Sequence, residues 1–421
     1  MKARCDGPWF VVAACTLLAA TACAAGDSAP PQAETTVETA GRAAPAAPET
    51  LGTPAGAAVD SETPGKRDSA PAPPIDSWPL FRGDSRATGV ARTTLPEKLD
   101  LLWTFPVKQG GFESSAAIAD GVVYVGSTGG KFYAVDLAKG HVLWEFPSEL
   151  GFTASAALRG GLVYVGDSDG RFHCLDAKTG KPKWHFNSEA EINSSANFHK
   201  AHVLFGSQDG FLYCLDAGSG QLVWKYQSSN QIRCFPTVVD DRGFVAGCDG
   251  RLHVIELGGG KEVADVDLEA PTGSTPAVLD RLLFVGTEGN ALFAIDWQQA
   301  KVVWKFEDPE HGAPFRSSAA AAPDLVVVGS QDKCVRGLDP QSGEPRWTFP
   351  TRGKVDGSPV LAGRRVLVGS ADGRLYALDR KTGAELWRFE AGGQIVASPA
   401  VAAGRLVIGT TDGNLYCFGE K

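Results

Sequence analysis

The chain has 421 residues, 43% of them hydrophobic, with 49 acidic against 40 basic side chains and a formal net charge of -9. That balance gives no basic footprint for gripping nucleic acid or an anionic bilayer, while the apolar content suffices for a sizeable core. Fifty glycines recur within short apolar runs such as Val123-Tyr124-Val125-Gly126, which points to tight turns between strands rather than to long helices.

The first residues have the form of an export signal: Lys2 and Arg4, an apolar stretch from Trp9 to Ala20, then small residues ending at Cys23. The stretch is too short to span a bilayer. Leu18-Ala19-Ala20-Thr21-Ala22-Cys23 resembles a bacterial lipobox, which implies a signal peptide over residues 1–22 and Cys23 as the lipidated start of the mature chain. Ordinary cleavage after an Ala-x-Ala site is the other reading. Ala24 rather than aspartate after that cysteine implies sorting to an outer membrane. Residues 23–77 follow as a tether of Ala, Pro, Thr, Glu and Gly without an aromatic side chain, a composition that cannot offset ordering entropy. Treated as a flexible coil it spans roughly 40 Å.

Beyond Trp78 the sequence repeats. Trp103, Trp144, Trp184, Trp224, Trp304, Trp347 and Trp387 recur at steps near 40 residues, and Ala264 stands where an eighth member belongs. A second series closes β-rich runs at Gly126, Gly166, Gly206, Gly247, Gly286, Gly329, Gly369 and Gly409, giving eight units by a separate count. Within Ser114 to Phe146 the pattern predicts four short antiparallel strands, the first two joined by the Asp120-Gly121 hairpin turn. Four strands per unit predict an all-β, eight-bladed β-propeller over residues 78–421. Trp103 belongs to a fourth strand with no preceding three, and the last unit stops after its third strand at Phe418. The N-terminal strand is therefore expected to complete the last blade and close the ring.

The spacing Asp136, Gly140, Trp144 recurs at Asp176, Gly180, Trp184 and at Asp379, Gly383, Trp387, and it resembles the tryptophan-docking repeat of quinoprotein-like propellers. That resemblance implies a structural role for the tryptophans, packed between neighbouring blades. One branch of the family comprises dehydrogenases carrying pyrroloquinoline quinone and calcium, with long inserts and a disulfide between adjacent cysteines; this chain has compact units and no adjacent cysteines. The other branch, the BamB-like lipoproteins of outer-membrane protein assembly, is similar in layout: signal, lipidated cysteine, tether and eight-bladed ring. Against that family's docking loop, Leu-x-Leu-Arg, Ile232 and Arg233 match and Asn230 does not, and its acidic second contact is replaced by Pro271-Thr272-Gly273.

No catalytic constellation, cofactor or metal site is expected. His199 and His202 flank a predicted turn as solvated side chains, and Asp167-Ser168-Asp169-Gly170 lacks the glutamate that a calcium loop needs at its twelfth position. Cys174, Cys214 and Cys417 fall where other units carry alanine and read as buried small residues. Cys234 and Cys248 lie almost opposite each other around the Asp241-Arg242 turn, so an oxidising compartment would permit a disulfide. Arg233 and Arg316 sit in equivalent inter-blade loops beside the bulky Ile232 and Phe315, and the four together are the expected partner-binding residues.

The function expected is a non-catalytic, lipid-anchored monomeric propeller that binds a protein in the cell envelope, a β-barrel insertase among the candidates, with the membrane reached by the lipid anchor alone and no nucleic acid bound. A quinoprotein or small-ligand sensor is the alternative. A tight funnel lined by small residues would favour the first, and a deep pocket with converging acids and aromatics the second.

Overall fold

The computed structural model describes residues 76–421; the signal expected over 1–22, Cys23 and the tether as far as residue 75 lie outside the described residues. Among the described residues the helix-free chain forms 32 strands in eight four-stranded antiparallel sheets. Seven sheets use consecutive strands; the first comprises Ala117–Ala119, Val122–Ser127, Lys131–Asp136 and Val142–Pro147. The eighth joins the two ends of the ring, Asp100–Pro106 pairing with Asn414–Gly419 so that Trp103 faces Cys417. The N-terminal strand thus completes the last blade.

Local chemistry accounts for the blades. Asp120 and Gly121 both adopt positive φ, 51° and 75°, as the first hairpin turn requires. The second and third strands of each blade are buried on both faces, whereas the outermost strand alternates, as in Val142–Pro147. The core therefore lies between blades. Phe172 of the second blade and Phe205 of the third stack at 4.0 Å in one such interface.

The repeated tryptophans form these interfaces. The Trp103 indole donates from Nε1 to the Leu137 carbonyl of the first blade at 2.9 Å, and Trp144 does the same to Ala177 at 2.9 Å. Trp184, Trp224, Trp304 and Trp347 repeat the bond on Ala217, Leu257, Pro340 and Arg380. Each indole also covers a glycine at positive φ: a Cβ on Gly140 would lie 2.7 Å from the Trp103 ring. Asp136 caps that turn, its Oδ1 accepting the Lys139 N–H at 2.7 Å. Trp387 packs instead on Phe418, with centroids 5.4 Å apart, because the eighth blade has no such turn beyond its third strand.

Ala264 keeps register, opposite Val254, where Trp304 lies opposite Ala294 one blade on. The space its missing indole leaves is served by Trp297, which stands edge-on to Phe244 at 5.5 Å and donates to the Asp280 carbonyl. The second landmark series needs one correction. Ala246, not Gly247, is the fourth member, because the N–H of Ala246 meets Cys234 just as the N–H of Gly206 meets Ser194. The other members are glycine because a bulky loop residue of the following blade sits on each: Phe152 on Gly126 at 2.3 Å and Ile232 on Gly206 at 2.4 Å from a notional Cβ. Beside Ala246 that loop residue is the smaller Thr272, whose N–H donates to the Gly247 carbonyl.

Candidate functional site

The eight loops leading into the innermost strands converge on the ring axis and line a funnel with a cavity volume of about 190 Å³. Two tiers of side chains form it. The upper rim carries Glu113, Thr153, Asn193, Arg233, Arg316 and Asp356, with Gly273 and Val396 completing the circle. Two residues further along each loop comes a belt of hydroxyls. The Ser115 N–H donates to Ser155 Oγ at 3.0 Å, and the Ser155 N–H to Ser195 Oγ at 2.9 Å. After a break at Phe235, its N–H donates to Thr275 Oγ1, the Thr275 N–H to Ser318 Oγ, and the Ser318 N–H to Ser358 Oγ. Ser358 then binds Ser398, and the Ser398 N–H returns to Ser115 Oγ at 2.9 Å across 283 residues of chain. The belt joins adjacent blades through side-chain oxygens where no strand pairing exists, and it runs from Phe235 across the seam to Ser195, open only between those two.

The funnel floor is the segment from Trp78 onward, whose role the sequence did not disclose. Trp78 bridges Ile118 antiparallel and Val90 bridges Leu361 parallel, so the segment enters the channel, turns under the funnel and leaves by the same side. Its carbonyls satisfy amides on the inner edges of the sheets: Pro79 for Leu158, Ser85 for Val238, Arg86 for Val278, Thr88 for Ala321 and Gly89 for Leu361, all at 2.8–2.9 Å. In the third blade Phe198 is served by the side chain of Asn197 instead. These edges would otherwise present unpaired donors to a narrow channel. Asp84 holds the turn by accepting the N–H groups of Arg86 and Thr88. Phe81 lines the floor and packs on Phe235 at 6.0 Å, which explains the one aromatic residue in the hydroxyl belt.

Arg82 lies just beneath. It is 1% exposed and donates to the carbonyls of Ser358 at 3.2 Å, Ala319 at 3.3 Å and Pro359. Burial lowers its pKa to about 9, only partly opposed by the charge of Asp84, so the guanidinium stays protonated at neutral pH.

The expected partner-binding residues divide. Ile232 and Phe315 are 0% and 1% exposed, seated on Gly206 and Gly286 of the preceding blades, so they are interface core and present no surface. Arg233 and Arg316 do reach the rim. Arg316 pairs with Glu288, Nε to Oε1 at 2.8 Å, which raises its pKa, while Arg233 bonds only the amide oxygens of Gln231 and Gln208. In this structure Cys234 and Cys248 are unpaired, each a free thiol. Cys234 Sγ accepts the Ala246 N–H at 3.3 Å, the place that Ser114, Ser194 and Ser317 fill with hydroxyls in other blades. His199 is buried rather than solvated, bound to Asp241 of the next blade at 2.8 Å. His173 and His253 pair with Asp167 and Asp249 and so fasten loops. Asp169, from the calcium-like run, is occupied by the N–H groups of Glu149 and Leu150. Among the described residues no three His, Cys, Asp or Glu side chains converge as a metal site.

A ring of eight four-stranded blades with tryptophan docking defines the quinoprotein-like propellers. Within that class, the chain belongs to the family described as outer membrane protein assembly factor BamB, whose model matches residues 96–234, 208–354 and 332–420. No curated protein matches the chain in sequence. Among solved structures it is similar to BamB from Moraxella catarrhalis, with 22% identity, a TM-score of 0.65, and coverage of 77% of this chain and 98% of that one. The quinohemoprotein alcohol dehydrogenase from Comamonas testosteroni gives 17% identity and a TM-score of 0.73 over 84% of this chain and 82% of that one. The computationally designed Ika8 protein gives 18% identity and a TM-score of 0.67 over 76% of this chain and 99% of that one. At such identities these likenesses establish the fold alone.

The dehydrogenase likeness raises the question of a quinone. The funnel does not fit one: its volume falls below the roughly 300–1,000 Å³ of drug-sized pockets, seven of the eight belt positions are small hydroxyl side chains, and the strap closes its floor.

Proposed function

We propose that this protein is a non-catalytic propeller scaffold of the cell envelope, held to a membrane through lipidated Cys23 and presenting its funnel face to a protein partner in outer-membrane protein assembly. The observation that carries the reading is the narrow funnel, belted by small hydroxyl side chains and closed from below by the strap, which leaves surface recognition as the use of that face. Arg233 and Arg316 on the rim supply the anchoring groups, since their apolar neighbours are consumed in the blade interfaces. Arg233 is the stronger of the two because no carboxylate among the described residues pairs with it. Family membership supports the assembly role. The altered loop at Asn230 and the Pro271-Thr272-Gly273 run indicate that its contacts differ in detail from the family's docking pattern.

The experiment is affinity capture of the full-length protein, with Cys23 intact, from detergent-solubilised native envelopes. Stoichiometric recovery of a β-barrel insertase, lost in an Arg233→Ala, Arg316→Ala double variant that keeps its fold, is the expected result. Recovery of the propeller alone, or a quinone-dependent dehydrogenase activity on titration with pyrroloquinoline quinone, would overturn the reading.

A further inference from the structure

The hydroxyl belt has a polarity that its structural role does not use up. Each of its seven hydroxyl oxygens accepts a backbone N–H from the neighbouring blade. None of those hydroxyls donates its own proton to a protein acceptor among the described residues. All seven are more than nine-tenths buried, and all line the funnel cavity. A hydroxyl whose lone pair is taken by an amide presents its hydrogen on the remaining open side. The funnel is therefore walled by donors.

A second, separate observation lies below. Arg82 is a fully buried cation whose hydrogen-bond partners are carbonyl oxygens, with no carboxylate among them, and its Nε has no partner among the described residues. The carbonyls it holds belong to Ser358, itself a belt residue, and to Ala319 and Pro359, each one residue past the belt. Burying a charge with no carboxylate bonded to it is costly, Asp84 offsets that cost only in part, and an anion just above would lower it further.

We propose that the funnel floor is a site for a single oxyanion group, a carboxylate or phosphate, held by belt hydroxyls above the Arg82 guanidinium. The rim is of mixed sign: Arg233 is uncompensated, Arg316 is matched by Glu288, and Glu113 and Asp356 add negative charge. Attraction thus comes from the floor, and the acids at the rim select against polyanions. The cavity of about 190 Å³ admits one small group, either a free ion or the carboxylate of an inserted side chain or chain end. This site stands whether or not the rim binds a partner.

The test is calorimetric titration of the full chain with inorganic phosphate, with acetate, and with a short peptide bearing either a free or an amidated C-terminus. Saturable one-to-one binding of at least one oxyanion is expected, weakened at least tenfold in a Ser155→Ala, Ser318→Ala variant. A Ser195→Phe variant, which extends the arrangement already found at Phe235, should weaken it by filling the floor and serves if the alanine variant does not fold. Binding of phosphate or acetate identifies a free-ion site, and binding of the free-carboxylate peptide alone identifies a chain-end site. Failure of all three oxyanions to bind the folded wild-type protein, or equal binding by both variants, would overturn the proposal.

Discussion

Ala300 stands one blade on from Ala264, at the turn position that is glycine wherever the preceding blade supplies a tryptophan. The two substitutions are reciprocal. An indole lying across the turn leaves no room for a Cβ, and where the indole is missing the Cβ is admitted, although Ala300 still adopts φ 52°. The same interface repeats the exchange at Ala246 and Thr272. In each contact a smaller residue on one side goes with a larger one on the other.

This relationship predicts an asymmetry between two conservative changes. Gly220→Ala places a Cβ 2.5 Å from the Trp184 ring at φ +73° and should destabilise the protein by about 1–3 kcal/mol, through overpacking. Ala300→Gly relieves positive φ while adding chain entropy to the unfolded state, so its effect should stay within about 1 kcal/mol. Urea denaturation distinguishes them. Equal shifts would mean that the indole contact is not what reserves the turn for glycine.

The thiols give a second prediction. Burial pushes Cys174 and Cys417 up to about 11 and Cys214 and Cys234 up to about 12, so none of these supplies a reactive thiolate at neutral pH. In native protein at pH 8, a maleimide should label Cys248 first and Cys334 more slowly, since Cys334 is half-buried and raised by burial and by Asp332. After denaturation without reductant, all six propeller cysteines should react. Recovery of only four would restore the disulfide between Cys234 and Cys248.

How far the sequence reveals this molecule depends on whether a residue acts within its own repeat. Trp103 and Phe418 betray the seam because each lacks a strand its unit should contain, and Asp136 betrays its turn because its partner is three residues away. The hydroxyl belt was harder to see, though a signal existed: serine or threonine recurs at Ser115, Ser155, Ser195, Thr275 and Ser318 with the tryptophan period. Ile232 and Phe315 look like anchors in sequence because the glycines they are buried against, Gly206 and Gly286, lie 26 and 29 residues earlier in the preceding blade. The strap is not periodic at all. It touches most blades by backbone carbonyls, and those leave no side-chain pattern to read.

The strap should nevertheless dominate stability. Arg82→Ala removes donors from three buried carbonyls and should cost about 3 kcal/mol. Deleting residues 1–75 should leave the thermal midpoint unchanged, and extending the deletion through Val90 should lower it sharply, since the inner-edge amides of several blades lose their acceptors together. Equal midpoints for the two truncations would show that the blades close without their plug.

Acid should loosen the loops that His173 and His253 fasten. Burial pushes the Asp167 carboxylate up, but hydrogen bonds from His173, the Arg171 N–H and Ser148 outweigh it and hold its pKa below the ordinary 3.8. Burial likewise opposes Ser228 and His253 at Asp249, and again the hydrogen bonds prevail. A carboxylate whose pKa is lower folded than unfolded binds protons better in the unfolded chain. Its stabilisation is complete above the ordinary value and is lost as pH falls through that value toward the folded one. An Asp167→Asn, Asp249→Asn variant should therefore melt well below wild type at pH 6, with the gap narrowing at pH 3. Thermal midpoints at these two pH values decide the matter, and a gap that stays constant would show that the two aspartates act as shapes rather than as charges.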